Sequence, residues 1–330
     1  MMAVVMSADR IRMNAVICTY GWRGLLERTL RNVAEARRPE GFERLWIIEN
    51  GSDAGARKLC ADLGNMLPLE YVHLPDQGKS RALQFALDKL GTGLVVFLDD
   101  DIRINSELFE AYARAALTHG ASAFFGGPVF PDYEQEPPAW LVPDLPPSAK
   151  GWQATDPAAP ITRSCFLGAN YGAFVERLQA VGGFKAHLGV GSEGNPVGEE
   201  FEIQDRLLAA GCLAVYLPDV QVWHWVPRER CSPRWTHQRH YRIWLTNGLT
   251  ETKDHAGSRW RGAPRWMWRR LAQLGLRALA ANAIRDPQRR FKVKDQYWQW
   301  RGYLDGVRLR HRRETSGHNA QGHAAERGAT

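Results

Sequence analysis

Gly93-Leu-Val-Val-Phe-Leu-Asp-Asp-Asp-Ile102 is the stretch that decides how this chain reads. The apolar run Leu94–Leu98 has the length and unbroken hydrophobicity of a strand buried on both faces, as strands of a parallel sheet are. It ends abruptly in three carboxylates, Asp99, Asp100 and Asp101. Adjacent carboxylates repel one another. A hard divalent cation offsets that repulsion, because Mg²⁺ and Mn²⁺ take oxygen ligands and are often shared with substrate phosphates. In open α/β sheets ligands gather at the carboxyl ends of strands, which is where the triplet falls. The plainer reading of the same residues is a solvated acidic turn before a helix that begins near Ser106.

On either side of this stretch, strand and helix patterns alternate. Upstream come a strand at Asn14–Thr19 and a helix carrying Leu25, Leu26, Leu30 and Val33. A strand at Arg44–Ile48 follows, then a helix through Arg57, Leu59 and Leu63 and a strand at Leu69–Leu74. The turn Pro75-Asp-Gln-Gly78 opens a helix with Leu83, Ala86, Leu87 and Leu90 on one face. Downstream the pattern predicts a helix over Glu107–Leu117, which leads to Ala123-Phe-Phe-Gly-Gly-Pro-Val129, and a long loop, Pro131–Pro160. Beyond these it predicts a strand over Ser164–Val175, a helix over Glu199–Ala210, and strands over Leu213–Leu217 and Val220–Trp223, the last just before His224. Such alternation means βαβ units on a mostly parallel central sheet flanked by helices. A loop as long as Pro131–Pro160 inside a compact domain is expected to be functional.

The chain has 330 residues, enough for one large domain or two smaller ones. No apolar stretch approaches the roughly 18–20 residues that span a bilayer. Met1–Met13 is too short, and too broken by Asp9, Arg10 and Arg12, for a signal peptide. The five cysteines, Cys18, Cys60, Cys165, Cys212 and Cys231, show no paired spacing. That pattern favours reduced thiols in a cytoplasmic protein over a disulfide framework or a zinc site. A net charge of +7 conceals an asymmetry: residues 1–227 carry 20 Lys/Arg against 28 Asp/Glu, and residues 228–313 carry 22 against 6. Nine of the thirteen tryptophans also lie beyond residue 222, so the basic end needs an explanation of its own. The expected organisation is an N-terminal extension (1–12), a catalytic α/β domain (13–227), a basic, Trp-rich helical extension (228–313) broken at Asp286-Pro287, and a disordered tail (314–330).

Neither a G-x-G-x-x-G dinucleotide fingerprint nor a P-loop is present. The first strand ends instead in Thr19-Tyr20 and the second in Glu49-Asn-Gly-Ser-Asp53. Side chains there are placed to grip a base and ribose, or simply to form turns. Gly78-Lys-Ser-Arg81 puts two cations at a helix N-terminus, against the macrodipole. The placement makes sense if an anion docks there, cradled by helix amides, Lys79 and Arg81.

Taken in order, these pieces resemble the family 2 glycosyltransferases, which have the nucleotide-sugar-binding GT-A fold. The matching parts are Val16-Ile-Cys-Thr-Tyr20, Ile47-Ile-Glu-Asn-Gly-Ser-Asp53, the Gly78-Lys-Ser-Arg-Ala-Leu helix start and Asp99-Asp-Asp101. Gly168-Ala-Asn, Gly182-Gly-Phe184, Gly198-Glu-Glu-Phe-Glu-Ile-Gln-Asp-Arg206 and Val222-Trp-His224 continue the series, so the resemblance covers about residues 13–227. It implies that Thr19, Tyr20, Glu49, Asn50 and Asp53 line the nucleoside site and that Lys79 and Arg81 lie near the diphosphate. It further implies that Asp99 and Asp100 face the ribose and phosphates, and that Asp101, with Asp99 and His224, binds Mn²⁺ or Mg²⁺. The family's Glu-Asp pair, whose second member is the general base, stands here as Glu199-Glu200. Glu200 inherits that role, with Glu199 as the fallback because Glu is one methylene longer than the usual Asp. Arg206 matches a structural arginine on the same helix.

The implied activity is inverting transfer of a sugar from a nucleotide-diphosphate donor to a glycan, lipid-linked or small-molecule acceptor, in surface polysaccharide or glycoconjugate synthesis. The residue types suit it. A carboxylate takes the proton of a poorly nucleophilic hydroxyl, and a cation stabilises the departing diphosphate. The alternative is a catalytically inactive protein on the same scaffold that binds nucleic acid or a membrane surface. In the basic end, Arg265-Trp-Met-Trp-Arg-Arg270 and Gln288-Arg-Arg-Phe-Lys-Val-Lys294 fit three states: a solvated helical face, peripheral contact with the inner face of a membrane, or stacking on bases. Nucleic acid ranks last of the three, since no recognised binding module accompanies these residues.

Overall fold

The computed structural model describes residues 11–21, 23–252 and 255–327, with side chains through Thr315 other than that of Arg23. Residues 1–10 of the expected N-terminal extension, and 328–330 of the expected tail, lie outside the described residues. The described chain forms two compact units, the first running through Glu134 and then over Pro147–Ser192 and Gly198–Pro227. The second comprises Gln135–Pro146, Glu193–Val197 and the chain from Arg228 onward.

In chain order the first unit holds β1 (Met13–Thr19), α1 (Arg23–Glu35), β2 (Phe42–Asn50), α2 (Ala56–Leu63), β3 (Leu69–Leu74), α3 (Lys79–Lys89) and β4 (Leu94–Leu98). Next are β5 (Ile102–Ile104), α4 (Leu108–His119), β6 (Ala123–Gly126), β7 (Val129–Tyr133) and α5 (Pro147–Lys150). β8 (Asn170–Phe174), α6 (Val175–Ala180), α7 (Glu199–Ala209), β9 (Leu213–Tyr216) and β10 (Val222–Val226) complete it. The central sheet runs β3-β2-β1-β4-β8-β6-β9. Only β8 is antiparallel to its neighbours. Every residue of β4 and β8 is buried, in keeping with their continuous apolar or small-residue sequences. One core cluster is built on Met13, Ala15, Ile17, Leu26, Leu30, Val96 and Leu98, and a second on Val16, Leu83, Leu87, Phe97, Tyr171 and Phe184. Alternate residues of β1 and β4 thus serve opposite faces of the sheet, as the period of two requires.

A second sheet, β5-β10-β7, was not apparent from local pattern. The stretch Ala123–Val129 divides at Gly127-Pro128 into β6 and the start of β7, which belong to different sheets. The cause is a close approach: a Cβ on Gly127 would stand 2.2 Å from the Val220 carbonyl oxygen. The expected strand Ser164–Val175 contracts to β8, and the Pro131–Pro160 loop begins as the continuation of β7. That loop is also tied to the fold where Val129 and Trp152 exchange two 2.8 Å backbone hydrogen bonds. His224 does not follow a strand, as its sequence position suggested. It sits in the middle of β10, paired with Ile102 of β5 on one side and Pro131 of β7 on the other.

The second unit contains α8 (Pro233–Thr250), the hairpin β11 (Arg259–Trp260) and β12 (Ala263–Pro264), α9 (Arg265–Ala280) and α10 (Pro287–Arg327). Ser232 caps α8 by accepting the Trp235 N–H, with Pro233 in the first turn, where a missing donor does no harm. Asp286 does the same for α10 through the Arg289 N–H at 2.7 Å. α8 and α10 pack closely because Gly248, Gly302 and Gly306 stand at the contact. A Cβ on Gly306 would lie 2.1 Å from the Leu245 carbonyl oxygen. α10 continues to Arg327, beyond the residue at which a disordered tail was expected to begin. Once a helix is nucleated, each further residue adds a hydrogen bond at little cost.

Candidate active site

The carboxyl ends of β1, β2 and β4 lie side by side, since Ile17 pairs with Leu98 and Thr19 with Glu49. Two antiparallel pairings bring distant segments to this edge. β8 sets Asn170 beside Leu98, so Gly168-Ala-Asn170 arrives next to the aspartates. β10 sets His224 beside Ile102, and the Trp225 N–H donates to the Asp101 carbonyl at 2.8 Å.

Asp99, Asp101 and His224 each offer one ligand atom, and these atoms lie within 4.8 Å of one another. His224 Nε2 is 3.3 Å from an Asp101 oxygen, and both side chains are buried. Two carboxylates and an imidazole converging in this way fit a divalent cation such as Mn²⁺ or Mg²⁺. Asp100 turns away from this cluster and accepts a 2.6 Å hydrogen bond from Thr19 Oγ. Burial, then the neighbouring Asp101 charge, push its carboxyl up to about 7 against the Thr19 hydrogen bond.

Lys79 Nζ stands 2.7 Å from Asp99 and 3.5 Å from Glu199. Burial pulls its ammonium down, but Asp99, Glu199 and Glu200 outweigh that and hold it protonated. The start of α3 is therefore also tied to the protein's own carboxylates, beside any anion it would receive. The Lys79 N–H donates to the Val190 carbonyl at 3.0 Å and the Gly78 N–H to Asn50 Oδ1 at 3.1 Å. Lys79 is a strut joining Asp99 to the start of α7. Arg81 is exposed and makes no ion pair among the described residues.

α7 begins where Gly198 adopts a left-handed φ of 95°, and Glu199, Glu200 and Glu202 fill its first turn, complementing the helix dipole. Glu199 is buried, whereas Glu200 is half-buried. A Cβ on Gly168 would meet Lys79 Nζ at 3.3 Å and the Glu200 carboxyl carbon at 3.7 Å. Glycine at that position leaves room between the two.

Of the residues assigned to the nucleoside, Thr19 and Asn50 tie elements together: Asn50 Nδ2 donates to the Thr19 carbonyl at 3.0 Å. Glu49 is fully buried and accepts from the Ala54 N–H and the Tyr71 hydroxyl, at 2.8 and 2.5 Å. Asp53 accepts from the Gly55 N–H. Tyr20 is 46% exposed and lies over Gly51, where a Cβ would meet its ring at 2.5 Å.

Three supporting residues escaped sequence reasoning. Thr29 Oγ accepts the Ile102 N–H at 3.0 Å and lies 2.9 Å from the Asp100 and Ile102 carbonyls, holding the aspartate turn from α1. Asn170 joins Tyr112, Pro128 and Val220. Gln204 secures the backbone at Cys165 and Phe166. Asn170 and Gln204 lie inside stretches that carry the family resemblance, but nothing local reveals their partners. Arg206 binds the Val181 and Gly183 carbonyls, a structural position at the Gly182-Gly183 turn.

The family model for glycosyl transferase family 2 matches residues 15–176. The succinoglycan biosynthesis protein ExoM of Rhizobium meliloti (strain 1021) is 28% identical over 255 residues, covering 76% of this chain and 79% of that protein. Among solved structures, the mannosyltransferase PcManGT from Pyrobaculum calidifontis, in complex with GDP-Man and Mn²⁺, is similar with a TM-score of 0.57 and 19% identity. That likeness covers 90% of this chain and 87% of the other. S. aureus TarS 1–349 in complex with UDP has a TM-score of 0.52 at 14% identity, over 93% and 92% of the two chains. At such identities the structural likeness speaks for the fold, which is GT-A. Over residues 15–176, which include the sheet edge that carries Thr19, Lys79 and the aspartates, the chain is a glycosyl transferase family 2 domain.

Proposed function

We propose that this chain is a metal-dependent, inverting glycosyltransferase. It moves a sugar from a nucleoside-diphosphate donor to a hydroxyl of a glycan, lipid-linked or small-molecule acceptor during polysaccharide or glycoconjugate synthesis. The convergence of Asp99, Asp101 and His224 carries this reading. Mn²⁺ or Mg²⁺ held there supplies neutralising charge for the departing diphosphate. Asp101 and His224 are fixed by backbone pairing, and Lys79 orients Asp99. Arg81, exposed at the start of α3, meets the diphosphate, and Tyr20 offers its ring to the base.

Glu200 takes the proton of the acceptor hydroxyl as the oxygen attacks the anomeric carbon from the side opposite the leaving group, which inverts the centre. The burial of Glu199 and its pairing with Lys79 support Glu200 over Glu199. The GDP-Man in the PcManGT structure, the UDP in the TarS 1–349 structure and the biosynthetic role in ExoM's name support the donor and pathway class. Five free thiols fit a reducing, cytoplasmic compartment. An inactive binding scaffold is not favoured, since it has no need of a metal-ligand set beside a half-buried carboxylate.

The deciding experiment measures hydrolysis of a panel of nucleotide sugars with and without Mn²⁺, in wild type and Asp101→Ala. Mn²⁺-stimulated turnover of one donor, lost in the variant, is expected. Absence of binding and turnover for every donor would overturn the proposal.

A further inference from the structure

The second unit carries a surface to which the proposed transfer assigns no residue. α9 has four arginines and no acidic residue. Met267, Leu271 and Leu274 form its buried stripe, and the first two join a core with Leu304 and Val307 of α10. On the opposite side Arg265, Arg269, Ala272, Leu276 and Leu279 follow one another at alternating spacings of four and three, and all are exposed. Leu276 and Leu279 are 70% and 69% exposed, more than any other large apolar side chain among the described residues. Trp266 flanks this stripe, exposed, as do Arg270 and Arg277.

The β11–β12 hairpin extends the same character. Its tip is Arg261-Gly262, with φ of 50° and 82°; a non-glycine residue rarely adopts such a backbone, and here it turns the hairpin tightly. Trp260 beside it is exposed, packs against Trp268 at 4.9 Å, and lies under the Arg261 guanidinium at 4.8 Å. Trp260, Arg265, Trp268 and Arg269 line a shallow cavity of about 250 Å³. Two aromatic walls and two guanidiniums suit a phosphate with an attached organic group.

From this pairing of a cationic, Trp-lined cavity with two protruding leucines, we propose that α9 and the β11–β12 hairpin dock the protein on an anionic phospholipid surface. Leu276 and Leu279 enter the acyl boundary, the arginines meet the negative surface, and the Trp260–Trp268 cavity takes a lipid phosphate. Aliphatic side chains distinguish this surface from one built for nucleic acid, because leucine gains by entering lipid but neither stacks on nor hydrogen-bonds to a base. The proposal rests on the second unit alone and is independent of the transferase reading.

The test is co-sedimentation of the full chain with phosphatidylcholine vesicles, with and without phosphatidylglycerol, at low and high salt. Wild type is expected to pellet with phosphatidylglycerol vesicles, at least about tenfold less with phosphatidylcholine alone, and less as salt rises. Leu276→Glu/Leu279→Glu, both sites exposed, is expected to keep its circular dichroism and donor hydrolysis while binding falls about tenfold or more. Arg265→Ala/Arg269→Ala should lose roughly fivefold per arginine. Three results would each overturn the proposal: wild type that does not pellet, a Glu/Glu variant that pellets equally well, or retention on single-stranded nucleic acid in place of vesicles. Displacement by inorganic phosphate at matched ionic strength would likewise point to a soluble anion.

Discussion

His224 Nε2 and an Asp101 carboxylate oxygen stand 3.3 Å apart, and the backbone alone brings them together. β5 and β10 pair antiparallel with His224 opposite Ile102, and the Trp225 N–H holds the Asp101 carbonyl at 2.8 Å. The pair is thus positioned before any ligand arrives, so a cation entering here does not have to order the chain.

His224→Ala removes one of the three proposed ligand atoms and is expected to leave the sheet pairing unchanged. The Mn²⁺ concentration giving half-maximal donor hydrolysis should rise at least about tenfold, with the melting temperature in chelator unaffected. An unchanged Mn²⁺ titration would remove His224 from the site. Chelation of wild type should abolish turnover without loss of circular dichroism.

Glu200→Gln should lower kcat by about 10²–10⁴ while nucleotide affinity, measured by calorimetry, stays at the wild-type value. Glu199→Gln acts differently, since it weakens the pairing of the half-buried Lys79 ammonium with a buried carboxylate. A stability loss of about 1–3 kcal/mol is expected in denaturant titration. Reversal of these two outcomes would make Glu199 the base.

Lys79→Met should perturb the reaction through Asp99. The variant is expected to bind Mn²⁺ less tightly, and the conservative Lys79→Arg to restore part of the loss. Were Lys79 a direct phosphate ligand, nucleoside monophosphate and diphosphate affinities would diverge while Mn²⁺ binding held.

Gly306→Ala places a methyl 2.1 Å from the Leu245 carbonyl, which the backbone of α8 cannot yield cheaply. A loss of about 1–3 kcal/mol is expected by thermal unfolding. A neutral result would mean that α8 and α10 separate more easily than their contact implies.

Asp295 is buried between α8 and α10, accepting from His237 and His240 at 2.8–2.9 Å and from Gln299 at 2.6 Å. Burial pushes its carboxyl up, but the hydrogen bonds from both histidines outweigh that, and the net shift is down. A carboxyl depressed on folding stabilises the fold above its unfolded pKa of about 3.9 and loses that contribution as pH falls through the lower folded value. Wild type should therefore lose melting temperature more steeply than Asp295→Asn below about pH 4. Parallel profiles would count against the assignment.

Much of the fold was legible from local pattern alone. Apolar runs ending in turn chemistry marked β1, β3 and β4, helical spacing marked α2 and α3, and Pro287 behind Asp286 marked the start of α10. Asp99-Asp100-Asp101 could be singled out because three carboxylates stand at a strand end, where chemistry concentrates, and Glu199-Glu200 and His224 because they match stretches of the family resemblance. Their grouping was another matter. β8 and β10 run antiparallel to β4 and β5, and that orientation is fixed by pairing between segments far apart in sequence, which no local period encodes. For the same reason the sequence did not show that Lys79 has Asp99 and Glu199 within 3.5 Å of it. A side chain's type can be read from the sequence, but whether its charge faces a ligand or an internal partner depends on what the fold packs beside it.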